Sequence, residues 1–433
     1  MVNEMKILIV SNSPIRSDSN LGKTLEILFR GFEREELHQL YFHTSYPDTN
    51  SCEEYYQVTE KQIIKSCFGL IKKQCGSVLG RPISCANRYI NSNRLREKKN
   101  STIMLLARET LWQYSHWDHA ILQNWITNWE PQSIFYVLSN SASRANFVRK
   151  LSQKMHCPVV LYVTDDYYHD MRLRSGIFRK LFYRNLQKSI QKMESCVATV
   201  VGCSELAAKE FGELLHTKYQ TIFTPFSTEC NQINIKRDNQ CPIIFRYFGN
   251  LSLERWKVLR ALGESIARYN GSEEKAFLEI YAPQPLSEIL DAITVLNGSR
   301  YMGWISGDKY WNLLAEADIA VHVESFSEET CRRTRLSVST KIADYLGAGK
   351  CILAIGREDL ASIVHLADCS YVTNRIEDID SAVSYLCENS DKRIEFAELA
   401  RKKAVRQHDL RKVSEQLRQI FMDVSLNGSR AKT

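Results

Sequence analysis

Residues 339–356 read STKIADYLGAGKCILAIG. Ser339 or Thr340 offers a side-chain oxygen of the kind that caps a helix start. Gly347 and Gly349 stop that helix after about two turns, and the apolar run CILAIG that follows has the length of a buried strand. A helix handed through a glycine stop to a buried strand is half of a βαβ unit. The stretch therefore predicts a parallel sheet covered by helices.

The same alternation extends in both directions. Upstream, strand-like runs occur at 6–10 (KILIV), 40–44 (LYFHT), 133–139, 158–164, 196–202 and 221–225, with helical spacing between them, as in NLGKTLEILFRGF. A polar stretch without a period, 226–241, interrupts the pattern and reads as a linker. Strands resume at 242–250, 276–283, 300–306, 318–325, 351–356 and 370–374. The predicted organisation is an α/β domain over 1–225, the linker, a second α/β domain over 242–408 and a C-terminal helix over 409–433. Residues 61–130 show no clear period. At 433 residues and 44% hydrophobic content, the chain is long enough to bury two cores.

Charge is unevenly placed. Ten Lys/Arg face one acidic residue, Glu97, between Lys61 and Lys99, and seven face none between Met171 and Lys192. The remainder holds 40 basic and 49 acidic residues, so the net +7 belongs to the first half. Such runs read either as solvated faces or as a footprint for an anionic partner. MRLRSGIFRKLFYRNLQKSIQK (171–192) and FGLIKK (68–73) mix apolar with basic residues, as a surface-lying helix does, whereas no RNA-binding signature accompanies them. The N-terminal apolar run is too short for an export signal, and no window approaches the roughly 18 uncharged residues of a membrane span. Thirteen cysteines without a CxxC pair are expected to be reduced, and no metal or other cofactor is expected.

Two open α/β sheets bind ligands in a crevice at the carboxyl ends of their strands. On the second domain's side, Lys341 joins the amides and dipole of its helix start in a place suited to a phosphate. Asp344, one turn further, is placed to accept hydrogen bonds from vicinal hydroxyls such as those of a ribose. In YFGNLSLERWK (247–257) a strand ends at Gly249–Asn250, and Arg255 with Lys257 arrives at the next helix start, where a diphosphate gains charge-assisted hydrogen bonds. In 302–326 a strand end carries Trp304 beside Ile305, suited to a planar base, and a later strand delivers Glu324. In TDDYYHD (164–170), Asp165, Asp166 and His169 read either as a strand-end turn or as groups beside a transferred sugar or acceptor hydroxyl. Any one of these segments is also readable as ordinary surface; their order is what is specific.

That order resembles the C-terminal half of retaining GT-B glycosyltransferases, glycosyltransferase family 4 and its relatives, in Gly249 to Lys257, Gly303 to Glu324 and STKIADYLGAGK. The N-terminal half is similar too, through MKILIVSNSP, SNLGKTLEILFRGF and VVLYVTDDYYHD. The resemblance implies a GT-B fold, two doubly wound Rossmann-like domains facing a central cleft, with the acceptor on the first and a nucleotide-diphosphate sugar on the second. It implies that Arg255 and Lys257 hold the diphosphate, Asp344 the ribose and Trp304 with Ile305 the base. Gly249, Asn250, Glu324, Ser339, Thr340 and Lys341 complete the donor site, and Gly22, in the loop after the first strand, allows close backbone approach. One departure is Leu336, where the family's pattern has a first glutamate. Glu324, Glu328 or Glu329 is left to replace it in space. The expectation is a metal-independent hexosyltransferase that extends a glycan or lipid-linked glycan for a surface polysaccharide. It is expected in the cytoplasm, peripheral on the inner face of the plasma membrane, with an anionic membrane surface and no nucleic acid as partner. A nucleotide-sugar epimerase of the same fold and a non-catalytic basic binding protein are the alternatives.

Overall fold

The computed structural model describes residues 5–17, 20–67, 75–79, 102–115, 120–169, 176–226 and 242–430. Of the expected linker all but Phe226 lies outside these residues, as do 68–74 and 80–99 of the first basic segment and 171–175 of the second. The chain forms two compact units, Met1–Ile222 with Ser414–Thr433, and Phe223–Val413.

In the first unit, strands β1 (Ile7–Ser11), β2 (Leu37–Tyr41), β3 (Glu54–Gln57), β4 (Ser77–Leu79), β5 (Ser133–Val137), β6 (Val159–Val163), β7 (Val197–Gly202) and β8 (Lys218–Thr221) form one sheet in the order β4-β3-β2-β1-β5-β6-β7-β8. The pairs are parallel except β3–β4, so the sheet carries an antiparallel edge that the alternation did not predict. β1, β5 and β6 are buried throughout, as strands covered on both faces are. The strand expected at 221–225 sits instead at the exposed KYQT of β8. Ile222 and Phe223 are buried after the strand has ended, and the Phe223 ring packs on His365 and His408 at 4.2 and 5.2 Å.

The last helix, Leu410–Arg430, returns to the first sheet. Its Phe421 ring lies 6.0–6.3 Å from those of Phe29, Phe32 and Phe135, and Arg418 bonds both Glu36 and the Gly31 carbonyl. At Gly31 a Cβ would come within 2.5 Å of Ser414 Oγ, so only glycine permits this close seat.

In the second unit, β9 (Ile243–Phe248), β10 (Ala276–Tyr281), β11 (Ser299–Gly303), β12 (Ile319–Val323), β13 (Cys351–Ile355) and β14 (Tyr371–Thr373) are all parallel, in the order β11-β10-β9-β12-β13-β14. The strand order reverses between β9 and β12. Apolar side chains of all six strands pack against the helices on both faces. Among the described residues nine cysteines are free thiols, and no helix is long and apolar enough to cross a membrane.

Candidate functional site

The carboxyl ends of β9 and β12, where the order reverses, are the place at which such a sheet holds a ligand. Four segments converge around the carboxyl ends of this sheet: the loop after β9, the loop after β11, the loop after β12, and the start of the helix Thr340–Gly347.

After β9 the backbone turns sharply. A Cβ at Gly249 would meet the Tyr247 hydroxyl at 2.8 Å, and that hydroxyl donates to the Asn250 carbonyl at 2.7 Å. Asn250 Oδ1 accepts from the Ser252 amide at 2.7 Å. Leu253 and Glu254 both take positive φ, +60° and +58°, before the helix Arg255–Asn270 begins. Two such residues in succession cost roughly 1–2 kcal/mol each and persist because the surroundings hold them.

Arg255 reaches across to Glu324, which follows β12. Its Nη2 donates to both carboxylate oxygens, at 2.9 and 3.1 Å. Glu324 is 3% exposed, and His322 Nε2 lies 3.4 Å from it. Burial pushes this carboxyl up, but Arg255 and His322 outweigh it and hold it at about 2. Lys257 pairs with Glu254, whose carboxylate also accepts from Ser325 Oγ at 3.3 Å and Thr330 Oγ1 at 3.4 Å. The Lys257 bond and a Ser327 bond hold Glu254 at about 2. Arg255 and Glu324, read separately as ligands for phosphate and sugar, are thus partners of each other. Lys257, by contrast, is more than half exposed.

At the helix Thr340–Gly347 the Ser339 side chain accepts from the Lys341 amide at 3.4 Å, as a cap. Asp344 is 4% exposed and its Oδ2 accepts from the Tyr310 hydroxyl at 2.9 Å. Lys341 Nζ lies 3.9 Å from that oxygen and 4.1 Å from the Tyr310 ring centre. Thr340 is half-buried beside them. In the loop after β11, Trp304 is 59% exposed while Ile305 packs on the core. Leu336 is fully buried, so the position of the family's first glutamate faces the core. Of the three acids left to replace it, Glu324 is the buried one; Glu328 is exposed and tied to Arg332 and Arg357, and Glu329 is exposed.

In the first unit, Gly22 lies inside the helix Asn20–Leu28, not in the loop expected after the first strand, because the helix starts two residues earlier. Asp165 Oδ2 accepts from Thr164 and Tyr167 hydroxyls, at 3.2 and 3.4 Å. Asp166 Oδ1 accepts the amides of Tyr168 and His169. Glu210, on the helix Glu205–Leu214, was not singled out by sequence; with Asp166 and His169 it forms a group whose ligand atoms lie within 4.8 Å of one another, a geometry able to hold a metal ion. Tyr310, His322 and Glu254 were missed as well: Tyr310 meets Asp344 from 34 residues away and Glu254 meets Ser325 and Thr330 from 71 and 76, whereas His322 lies beside Glu324 at the end of β12.

Residues 272–419 match the model of a family described as glycosyl transferase-like. No curated protein matches the chain. Several solved structures share its fold. HepE of Anabaena in complex with UDP superposes with a TM-score of 0.60 at 13% identity, covering 97% of this chain and 100% of that one. The trehalose 6-phosphate synthase of Burkholderia multivorans gives 0.62 at 10% identity, covering 100% and 99%. WaaG, a glycosyltransferase involved in lipopolysaccharide biosynthesis, gives 0.57 at 12%, covering 96% and 99%. The fold is thus that of GT-B glycosyltransferases, with two Rossmann-like domains.

Proposed function

We propose that the protein is a glycosyltransferase that takes a sugar from a nucleoside-diphosphate donor and places it, with retention, on the hydroxyl of a glycan acceptor. The observation that carries this reading is the gathering of Lys341, Asp344, Arg255 and Lys257 around the carboxyl ends of the second sheet, in a unit largely spanned by the glycosyl transferase-like match. HepE, of the same fold, has been seen with UDP and with UDP-glucose.

In this reading the bond between the sugar's anomeric carbon and the diphosphate oxygen breaks while the acceptor oxygen bonds to that carbon on the same face. The acceptor's proton passes to the departing phosphate. Negative charge builds on the diphosphate, and Lys341, Lys257 and the helix amides stabilise it, each such donor contributing on the order of 3 kcal/mol. Arg255, oriented and neutralised by Glu324, shapes the same wall. Asp344 shares its carboxylate between Tyr310 and the ribose hydroxyls, since an ionised carboxylate accepts more than two hydrogen bonds. Trp304 offers an exposed face for the base. No divalent ion is needed for this charge balance, so turnover is expected to survive EDTA.

A lipid-linked acceptor fits the helix Ile177–Gln191. It has no acidic residue, and its solvent side carries Ile177, Phe178 and Leu181 beside Lys180, Arg184 and Lys188. The test of the whole reading is a panel of nucleotide sugars. The right donor at one hundred times its dissociation constant adds about 2.7 kcal/mol to thermal stability and supports transfer. Lys341→Ala is expected to weaken both. If no nucleotide sugar stabilises the protein, the reading is wrong; turnover of a donor without an acceptor favours an epimerase.

A further inference from the structure

The first sheet reverses its strand order as well, between β1 and β5, and the carboxyl ends of those two strands form a second place for a ligand. One side chain joins the loops that leave it. Arg144, in the first turn of the helix Ala142–Met155 after β5, donates from Nη1 to Asn12 Oδ1, just beyond β1. Its Cζ lies 4.6 Å from the centre of the Phe42 ring, just beyond β2, and 4.9 Å from that of Trp112. Arg144 is 3% exposed, its Nε is buried without a hydrogen bond, and among the described residues the guanidinium makes no ion pair. Glu109 is buried too, but its Oε2 accepts the Ser143 amide and hydroxyl, at 3.0 and 3.1 Å. Ser141 accepts the Arg144 amide, so the helix start is already capped, and the unmet donors belong to the Arg144 side chain.

A guanidinium holds five N–H groups in a plane, and Asn12 takes one of them. The rings of Phe42 and Trp112 attract the charge but offer no lone pair to those groups. Burial and the neighbouring Arg108 push the guanidinium down to about 10, which leaves it charged at neutral pH. A buried charge without a counter-charge destabilises a fold, and the group that best completes this one is an oxyanion, whose paired oxygens match the guanidinium fork. We propose that Arg144 recognises an oxyanion carried by the acceptor, a phosphate or a carboxylate, at the carboxyl ends of β1 and β5. Naming the acceptor as its carrier rests on the glycosyl-transfer reading; the anion site itself does not.

The anion site is read from the wild-type full chain without turnover, by the ¹H–¹⁵N resonance of Arg144 Nε, assigned by its absence in Arg144→Lys and again in Arg144→Met. Inorganic phosphate or acetate is expected to move it saturably, while chloride at the same ionic strength leaves it in place. Whichever acts at the lower concentration tells a phosphate from a carboxylate. A resonance indifferent to both anions overturns the proposal, as does a shift that disappears in Lys341→Ala, which would place the anion in the second unit. The second measurement is steady-state kinetics with the donor found above, on acceptor sugars paired with their phosphorylated and uronic acid forms. The wild type is expected to favour the anionic member of a pair in kcat/KM. Arg144→Lys, which keeps the charge but not the fork, is expected to lose on the order of a hundredfold with that member alone, at unchanged donor KM. Equal use of neutral and anionic acceptors by the wild type overturns the proposal, and so does a loss in Arg144→Lys that falls on both alike. If phosphate moves the resonance and no sugar is transferred, the anion site stands and the glycosyl-transfer reading fails.

Discussion

Glu324 is the residue on which the second unit's site turns. Its carboxyl, free at about 4.5, is held at about 2 although burial opposes the charge. A depressed folded value means that the stabilisation is complete above pH 4.5 and is lost as pH falls from there toward 2. The difference corresponds to about 3 kcal/mol. Glu324→Gln is thus expected to cost about 3 kcal/mol at neutral pH, in keeping with removal of one partner of a buried pair, and nearly nothing near pH 2. Denaturant titrations at a series of pH values check this; a deficit independent of pH means that charge is not what binds Glu324 to Arg255. Asp344 makes a second case. Removing the acceptor of the buried Tyr310 hydroxyl in Asp344→Ala is expected to cost about 1–3 kcal/mol, and Tyr310→Phe about 1. A double-mutant cycle in which the two losses simply add would show that their hydrogen bond contributes nothing.

Helices and strands were legible in proportion to their periodicity. β9 to β14 each overlap an apolar run read from sequence; β12 and β13, buried at every position, are the plainest case, since strands covered on both faces must be apolar throughout. β3 and β4 were invisible: EYYQ is buried at three of its four positions but sets its tyrosines between Glu54 and Gln57 and so offers no apolar run, and SVL is a three-residue edge strand without a buried position. The site divided along the same line. Ser339, Lys341 and Arg255 lie at helix starts, where the chain itself declares the position, whereas Tyr310 finds Asp344 from 34 residues away and Glu210 finds His169 from the helix that follows β7. Sequence could not show, either, that Glu324 spends its carboxylate on Arg255. The helix Ile177–Gln191 was legible in composition, but its outward side is a structural fact. Each basic side chain near an anionic leaflet contributes about 1 kcal/mol. Sedimentation with anionic liposomes is expected to capture the wild type at low salt, less at high salt, and to fail for Lys180→Ala/Arg184→Ala/Lys188→Ala. Equal binding to neutral liposomes would discard the electrostatic account.

The chain as a whole returns to where it began: after the second sheet is complete, Ser414–Thr433 rejoins the first unit. That return is held by Leu417, Ile420, Phe421 and Val424, all buried along the helix, and near its start by a close approach. Ser414 sits where a Cβ at Gly31 would lie, 2.5 Å from its hydroxyl and 2.6 Å from its own Cβ. One helical turn further, Arg418 donates to the Gly31 carbonyl at 2.9 Å, and past that Phe421 fills the space among Phe29, Phe32 and Phe135. Gly31→Ala must lift the last helix from this seat, so overpacking of about 1–3 kcal/mol is expected, together with loss of part of the Phe421 burial. Ser414→Gly removes both clashing atoms. Its own cost in a helix is about 1 kcal/mol, so the double variant Gly31→Ala/Ser414→Gly is expected to be more stable than Gly31→Ala alone even though it carries two changes. Urea denaturation of the three variants decides the matter. If Ser414→Gly deepens the Gly31→Ala deficit instead of relieving it, the final helix does not depend on this contact for its place on the first sheet.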